Sequence, residues 1–159
     1  MQIYFANSLF SQADQTFNQT TVAMIRATYP GTTVYLPQEN AAINDKQAYA
    51  DSKMIAQADT DEVLKSQLLI AVLDGVTIDA GVASEIGVAY AKQIPILGLY
   101  TDTRQQGAEN QKKLTALQTI AENQFHYLNL YTTGLIKLNG AIYNNIADLI
   151  QNIGQYLQK

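Results

Sequence analysis

Six consecutive apolar residues, Leu68-Leu69-Ile70-Ala71-Val72-Leu73, run without interruption and are stopped at once by Asp74-Gly75. No polar residue breaks the run, so neither side of the segment suits water. It reads as a strand covered on both faces, the condition of a central strand in a parallel sheet. Shorter runs of the same kind recur: Ile3-Tyr4-Phe5-Ala6 before the polar Asn7-Ser8, Thr33-Val34-Tyr35-Leu36 closed by Pro37, and Ile94-Pro95-Ile96-Leu97-Gly98-Leu99-Tyr100. Between them the apolar spacing turns helical. Ala13, Phe17, Val22, Met24, Ile25 and Tyr29 mark a helix that Ser11 can cap and Pro30-Gly31 must stop. Residues 38–52 are polar and read as a long loop or an irregular helix start; a loop this long in a compact domain usually has a function. Helix is expected from there to about Ser66, over 81–93 and over 108–122, with a short apolar segment at 127–130. The last twenty residues, carrying Ile142, Ile146, Leu149, Ile150, Ile153 and Leu157, read as one amphipathic terminal helix.

Alternating strand and helix define an α/β fold: an open parallel, doubly wound sheet of Rossmann or flavodoxin-like type, with helices on both faces. At 159 residues the chain suits one domain, 1–159. Its net charge of −4, with no Lys/Arg cluster, argues against a nucleic-acid partner. No cysteine and a single histidine, His126, argue against a metal site. No apolar stretch reaches membrane-spanning length and no leader pattern opens the chain, so no membrane partner and a cytoplasmic location are expected.

In such sheets the working residues gather at the carboxyl ends of the strands. That rule selects Asn7-Ser8, residues 74–85 and residues 100–104. The second stretch carries the carboxylates Asp74, Asp79 and Glu85 and the glycines Gly75 and Gly81. Glu85 falls in the first turns of a helix among Val82, Ala83, Ile86 and Val88, and so lies against the sheet and not on a solvated face. The helix dipole favours an ionised carboxylate there. The plainer reading makes Asp79 an N-cap and Glu85 a surface residue. Gly75 and Gly81 could cradle a phosphate, but neither a Walker lysine nor a dinucleotide fingerprint accompanies them.

The run Asp79-Ala80-Gly81-Val82-Ala83-Ser84-Glu85-Ile86-Gly87-Val88-Ala89-Tyr90-Ala91 resembles the nucleophile motif of the nucleoside 2-deoxyribosyltransferases. Three further segments resemble that family in the same order: Ile3-Tyr4-Phe5-Ala6 with Leu9-Phe10, then Asp102 and Arg104, then Asn129-Leu130-Tyr131 with Gly134. The resemblance implies exchange of bases on 2′-deoxynucleosides, with Glu85 attacking the anomeric carbon and forming a deoxyribosyl ester, and retention of configuration. It implies no cofactor and no metal, with 2′-deoxynucleosides and free nucleobases as the ligands. Asp79 and Asp59 would bind and protonate or orient the base, Asp61 competing with Asp59 for that alignment. Tyr4 would position Glu85, and Asn129 would bind the sugar hydroxyls, with Ser8 and Gly81 also on the substrate side. Sites near subunit contacts in a homo-oligomer are implied as well, with Tyr127, Tyr131 and Tyr143 as possible contacts.

Plainer roles stand beside these. Tyr4 alternates in a strand and suits a core, Asp59 a solvated helix face, and Asn129 a turn. Asp102 and Arg104 are expected to form a structural ion pair, and His126 to serve packing or the surface. Ser84 is smaller than the residue often found before the nucleophile in that family. Loop 38–52, where Gln38 and Asn40 could meet the base, does not align with it cleanly. Tyr156 falls near the end of the terminal helix, where some relatives finish on a tyrosine that reaches the site. Two other functions remain open: an N-glycosidase acting on a deoxynucleoside or its 5′-monophosphate, and a nucleoside-binding module without catalysis.

Overall fold

The computed structural model describes residues 1–44, 49–105, 109–122 and 128–157. In chain order its elements are β1 (Gln2–Ala6), α1 (Gln12–Thr28), β2 (Thr33–Tyr35), α2 (Ala41–Asn44), α3 (Ser52–Lys65), β3 (Leu68–Val72), α4 (Ala80–Ala91), β4 (Ile96–Leu99), α5 (Gln111–Ala116), α6 (Leu130–Leu138), β5 (Gly140–Tyr143) and α7 (Ile146–Leu157). The strands form one five-stranded sheet in the order β2-β1-β3-β4-β5, every neighbouring pair parallel.

Side chains alternate along each strand, so β1 sends Ile3 and Phe5 to one face and Tyr4 and Ala6 to the other. On β3, Leu68, Ile70 and Val72 join the first set, and Leu69 and Ala71 the second. Helices α1 and α7 close the first face through Val22, Ile25, Leu149, Ile150 and Ile153. Helices α3, α4 and α6 close the second through Val63, Val82, Ile86, Ala89, Leu135 and Ile136. The run from Leu68 to Leu73 is accordingly buried on both sides, none of its residues more than 3% exposed. Ser11 caps α1 in a reciprocal pair with Asp14, and the chain turns at Pro30-Gly31 as the sequence anticipates.

Three elements differ from the sequence reading. Ile142 lies in the edge strand β5, not in the terminal helix, which starts only at Ile146. Register with β4 decides this: Gly140 pairs with Ile96, and a Cβ there would sit 1.8 Å from the Ile96 carbonyl oxygen. Helix α6 replaces what reads as a short apolar segment. Its Thr132-Thr133-Gly134 core is poor in helix formers, but Asn129 caps it and Leu135 and Ile136 bury against the sheet, so packing outweighs propensity. The helix expected over 108–122 shortens to α5, Gln111–Ala116. Loop 38–52 holds a short 3-10 turn and α2, and Asp51 caps α3.

From β1 the chain moves outward to β2, then crosses back to β3 on the far side of β1. The order of winding reverses between β1 and β3, and an open sheet of this kind has its crevice above that switch. Among the described residues no helix is long and apolar enough to cross a membrane.

Candidate active site

Helix α4 starts where the carboxylate of Asp79 accepts hydrogen bonds from the backbone amides of Gly81, at 2.8 Å, and Val82, at 3.2 Å. Both go to Oδ1. A Cβ at position 81 would approach that same oxygen to 3.0 Å, so glycine lets the cap close tightly. Val82, Ile86 and Ala89 form the buried stripe of the helix. Glu85 lies three residues after Val82 and four before Ala89, which carries it onto that stripe and toward β1.

The group it meets there is Tyr4. The phenol, wholly buried in the middle of β1, donates a 2.6 Å hydrogen bond to Glu85 Oε1. Burial pushes the Glu85 carboxyl up to about 7; the Tyr4 hydrogen bond pulls it back, and the charges of Asp59 and Asp79 push it further up. Burial, followed by the neighbouring Glu85 charge, holds the Tyr4 phenol far above its ordinary range. The tyrosine therefore keeps its proton, and the carboxylate accepts from it.

Asp59 reaches the same place from α3. It is half-buried, burial raises its carboxyl, and its charge acts on Glu85, Tyr4 and Tyr35. Asp61, its competitor in the sequence, accepts instead from Gln57 at 2.8 Å. Tyr4, Asp59, Asp79 and Glu85 thus converge from β1, α3 and the start of α4. Of the three carboxylates in residues 74–85, Asp74 has a different task. Its two oxygens accept from the amide and hydroxyl of Thr101, both at 2.7 Å, and clasp the ends of β3 and β4 together.

The remaining sequence candidates fall in three places. Ser8 lies in the β1–α1 loop, its hydroxyl donating to Asp14 at 3.2 Å, while the Gly81 amide is committed to the α4 cap. Asn129 is exposed; it caps α6 by accepting from the Thr132 amide at 3.1 Å and borders a cleft of about 450 Å³ with Thr77, Ile78, Ala83, Leu128 and Thr132. Asp102 and Arg104 pair with each other as expected, the Arg104 side chain exposed and that of Asp102 mostly covered. His126 and Tyr127 lie outside the described residues.

Two features escaped the sequence reading. Tyr35 stacks on Tyr4, ring centroids 5.3 Å apart and planes tilted by 30°. Its hydroxyl accepts from Asn40 Nδ2 at 3.0 Å. Asn18, only 1% exposed, accepts from Asn7 at 2.7 Å and donates to the Ser8 carbonyl and to Gln38 Oε1. It thereby ties the two loops beside the crevice together, with Gln38 half-buried on Asn18 and Asn40 half-buried on Tyr35. The signal for Asn18 was present, since it shares the helical stripe of Val22 and Ile25; that for Tyr35 required the register between strands.

A doubly wound sheet with a buried tyrosine–carboxylate pair at its switch point, and two further carboxylates around it, defines a carboxylate-centred α/β domain. A sequence profile of the nucleoside 2-deoxyribosyltransferases matches residues 3–130, and the chain belongs to that family. A conserved protein of Enterococcus faecalis V583 is 67% identical over 97% of each chain, with a TM-score of 0.92. A 2-deoxyribosyltransferase from Leishmania mexicana shares the fold at 18% identity and a TM-score of 0.66, covering 98% of this chain and 97% of that one. A CMP N-glycosidase from Clostridium botulinum shares it at 17% identity and a TM-score of 0.52, covering 98% and 99%. Comparison with curated proteins gave no match. The chain is thus a nucleoside-processing enzyme by family.

Proposed function

We propose that this protein moves 2-deoxyribose from one nucleobase to another through a covalent ester on Glu85. The observation that carries the reading is the 2.6 Å hydrogen bond from Tyr4 to Glu85 Oε1 at the crevice. It leaves Oε2 as the attacking atom and holds the other oxygen still. Oε2 attacks C1′ of a bound 2′-deoxynucleoside, and the C1′–N bond breaks with its electron pair passing to the base. A proton or hydrogen bond from Asp79 or Asp59 stabilises the departing base. A nitrogen of a second base then attacks C1′ from the face the first base left, its N–H proton passing to the aspartate that served the departing base; the ester C–O bond breaks and the Glu85 carboxylate is restored. Two inversions give net retention, and one difficult displacement becomes two easier ones.

Charge supports an unphosphorylated substrate. The charged groups acting on Glu85 are carboxylates, Asp59 and Asp79, which would repel a 5′-phosphate. Among the described residues, three donors such a phosphate could call on are engaged within the chain: Ser8 with Asp14, Ser84 with the Ala80 carbonyl, and Arg104 with Asp102. Asn129 caps α6 beside an apolar patch, where Leu130 is 83% and Tyr131 77% exposed. That arrangement favours a homo-oligomer in which Asn129 serves the sugar near a subunit contact.

A second reading, N-glycosidase chemistry with water as the acceptor, uses the same Glu85 ester and draws support from the shared fold with the CMP N-glycosidase. Incubation with thymidine and free adenine separates the two. Deoxyadenosine with thymine is the expected product, whereas thymine with free deoxyribose alone would replace transfer by hydrolysis. Glu85→Ala and Glu85→Gln are expected to abolish both; exchange at a normal rate in either would end the covalent reading.

A further inference from the structure

We propose that Tyr35 is a positioning residue that holds the Tyr4 ring so that its hydroxyl stays on Glu85, and that it acts through its ring and not through contact with substrate. The inference rests on the reading of Glu85 as the working carboxylate. Tyr4 and Tyr35 are register partners on adjacent parallel strands, so their side chains leave the sheet on the same face. The stack at 5.3 Å and 30° fixes the side of Tyr4 that faces the sheet edge. Strand β2 is only three residues long and forms that edge, and so holds its own tyrosine weakly by backbone pairing. The hydrogen bond from Asn40 to the Tyr35 hydroxyl provides the missing anchor. Asn40 is itself fixed, its Oδ1 accepting from the Ala42 amide at 3.1 Å. A chain of contacts therefore runs from the turn after β2, through Asn40 and the two rings, to Glu85.

The groups facing Glu85 are Tyr4 on β1, Tyr35 on β2, Asp59 on α3 and Asp79 at the start of α4. Only the Tyr4 hydroxyl among them favours the ionised carboxylate, by donating to it; burial and both aspartates oppose ionisation. A Tyr4 ring free to rock off Oε1 would leave that opposition unbalanced, and Glu85 would hold its proton to higher pH. Tyr35 thus sets how much of the carboxylate is ionised without touching it.

The test is a carboxyl carbon-13 titration of glutamate-labelled protein, with the Glu85 signal assigned by its loss in Glu85→Gln. This reading needs no turnover, so it stands apart from whether the protein exchanges bases. Tyr35→Met fills the volume without a ring and is expected to raise the Glu85 midpoint by roughly half a unit or more. Tyr35→Phe keeps the stack but gives up the Asn40 anchor, and is expected to raise the midpoint by clearly less than Tyr35→Met, matching Asn40→Ala. In an exchange assay the acid limb of kcat/KM should move with the titration in Tyr35→Met, with kcat falling more than KM rises. An unmoved midpoint in Tyr35→Met overturns the proposal, as does a rise in KM alone in both variants, which would make Tyr35 a substrate contact. Should Tyr35→Met fail to fold, Asn40→Ala releases the anchor and leaves the ring in place. A smaller upward shift supports the proposal there, and no shift refutes it.

Discussion

Replacing Glu85 by glutamine is expected to make the protein more stable in mild alkali and to change little in mild acid. Its carboxyl titrates near 7 in the folded protein, against an ordinary value of 4.5. Between those values the folded state holds a proton that the unfolded chain has released. Stability therefore falls as pH rises through the window, and the full penalty stands above it. The gap of about 2.5 pH units, at about 1.36 kcal/mol each, sets an upper limit of about 3.4 kcal/mol. Glu85 is only partly buried by surface area, so water screens some of this, and about 2 kcal/mol is the working figure. For a chain of this size that corresponds to a melting temperature about 4–8 °C higher in Glu85→Gln at pH 8. The amide oxygen can still accept from Tyr4, so the hydrogen bond survives the exchange. Calorimetric melts of both proteins at pH 5 and pH 8 give the comparison, other titrating groups cancelling between them. Equal differences at the two pH values, or a less stable variant at pH 8, would refute the account of Glu85 as a carboxylate strained by burial.

Three further outcomes follow from the same geometry. Tyr4→Phe removes the only donor to Oε1 named above, and kcat/KM is expected to fall on the order of 10–100-fold with its acid limb moved above the wild-type position near 7; an unchanged profile would separate Tyr4 from the chemistry. Asp79→Asn keeps a competent cap and should melt within about 0.5 kcal/mol of wild type, whereas Asp79→Ala loses about 1 kcal/mol; if exchange fails in both, the charge and not the cap serves catalysis. Gly140→Ala drives a methyl into the Ile96 carbonyl and should cost about 3 kcal/mol or more, read as a fall in the urea midpoint.

The parts of the fold that could be read beforehand are those where one residue type answers one physical demand. Leu68–Leu73 carries no polar residue, so it had to be covered twice, and Ser11 and Pro30-Gly31 bound α1 by local chemistry alone. β5 was hidden because Ile142 and Ile146 are spaced as helix neighbours, and only the pairing of Gly140 with Ile96 distinguishes the two states. Helix α6 was hidden because its stability comes from Leu135 and Ile136 packing on the sheet, and not from its threonines. At the site, Glu85 betrayed itself as a charge on an apolar helical stripe. The choice of Asp59 over Asp61 depended on which side of α3 faces β1, and Tyr35 on a strand register that composition does not encode.

The hydrogen bond between Tyr4 and Glu85 joins residues 81 positions apart in the chain. Its two halves are brought together only when β1 has docked beside β3 and α4 has folded over both. Neither hairpin nor single helix contains the pair, so no locally folded fragment can bring it together. Contacts of such long sequence separation close late and raise the kinetic barrier to folding. The carboxylate's unusual titration thus belongs to the completed domain alone. In a denaturation series it should vanish in the same cooperative step as the sheet, making the Tyr4–Glu85 pair its own reporter of an intact fold.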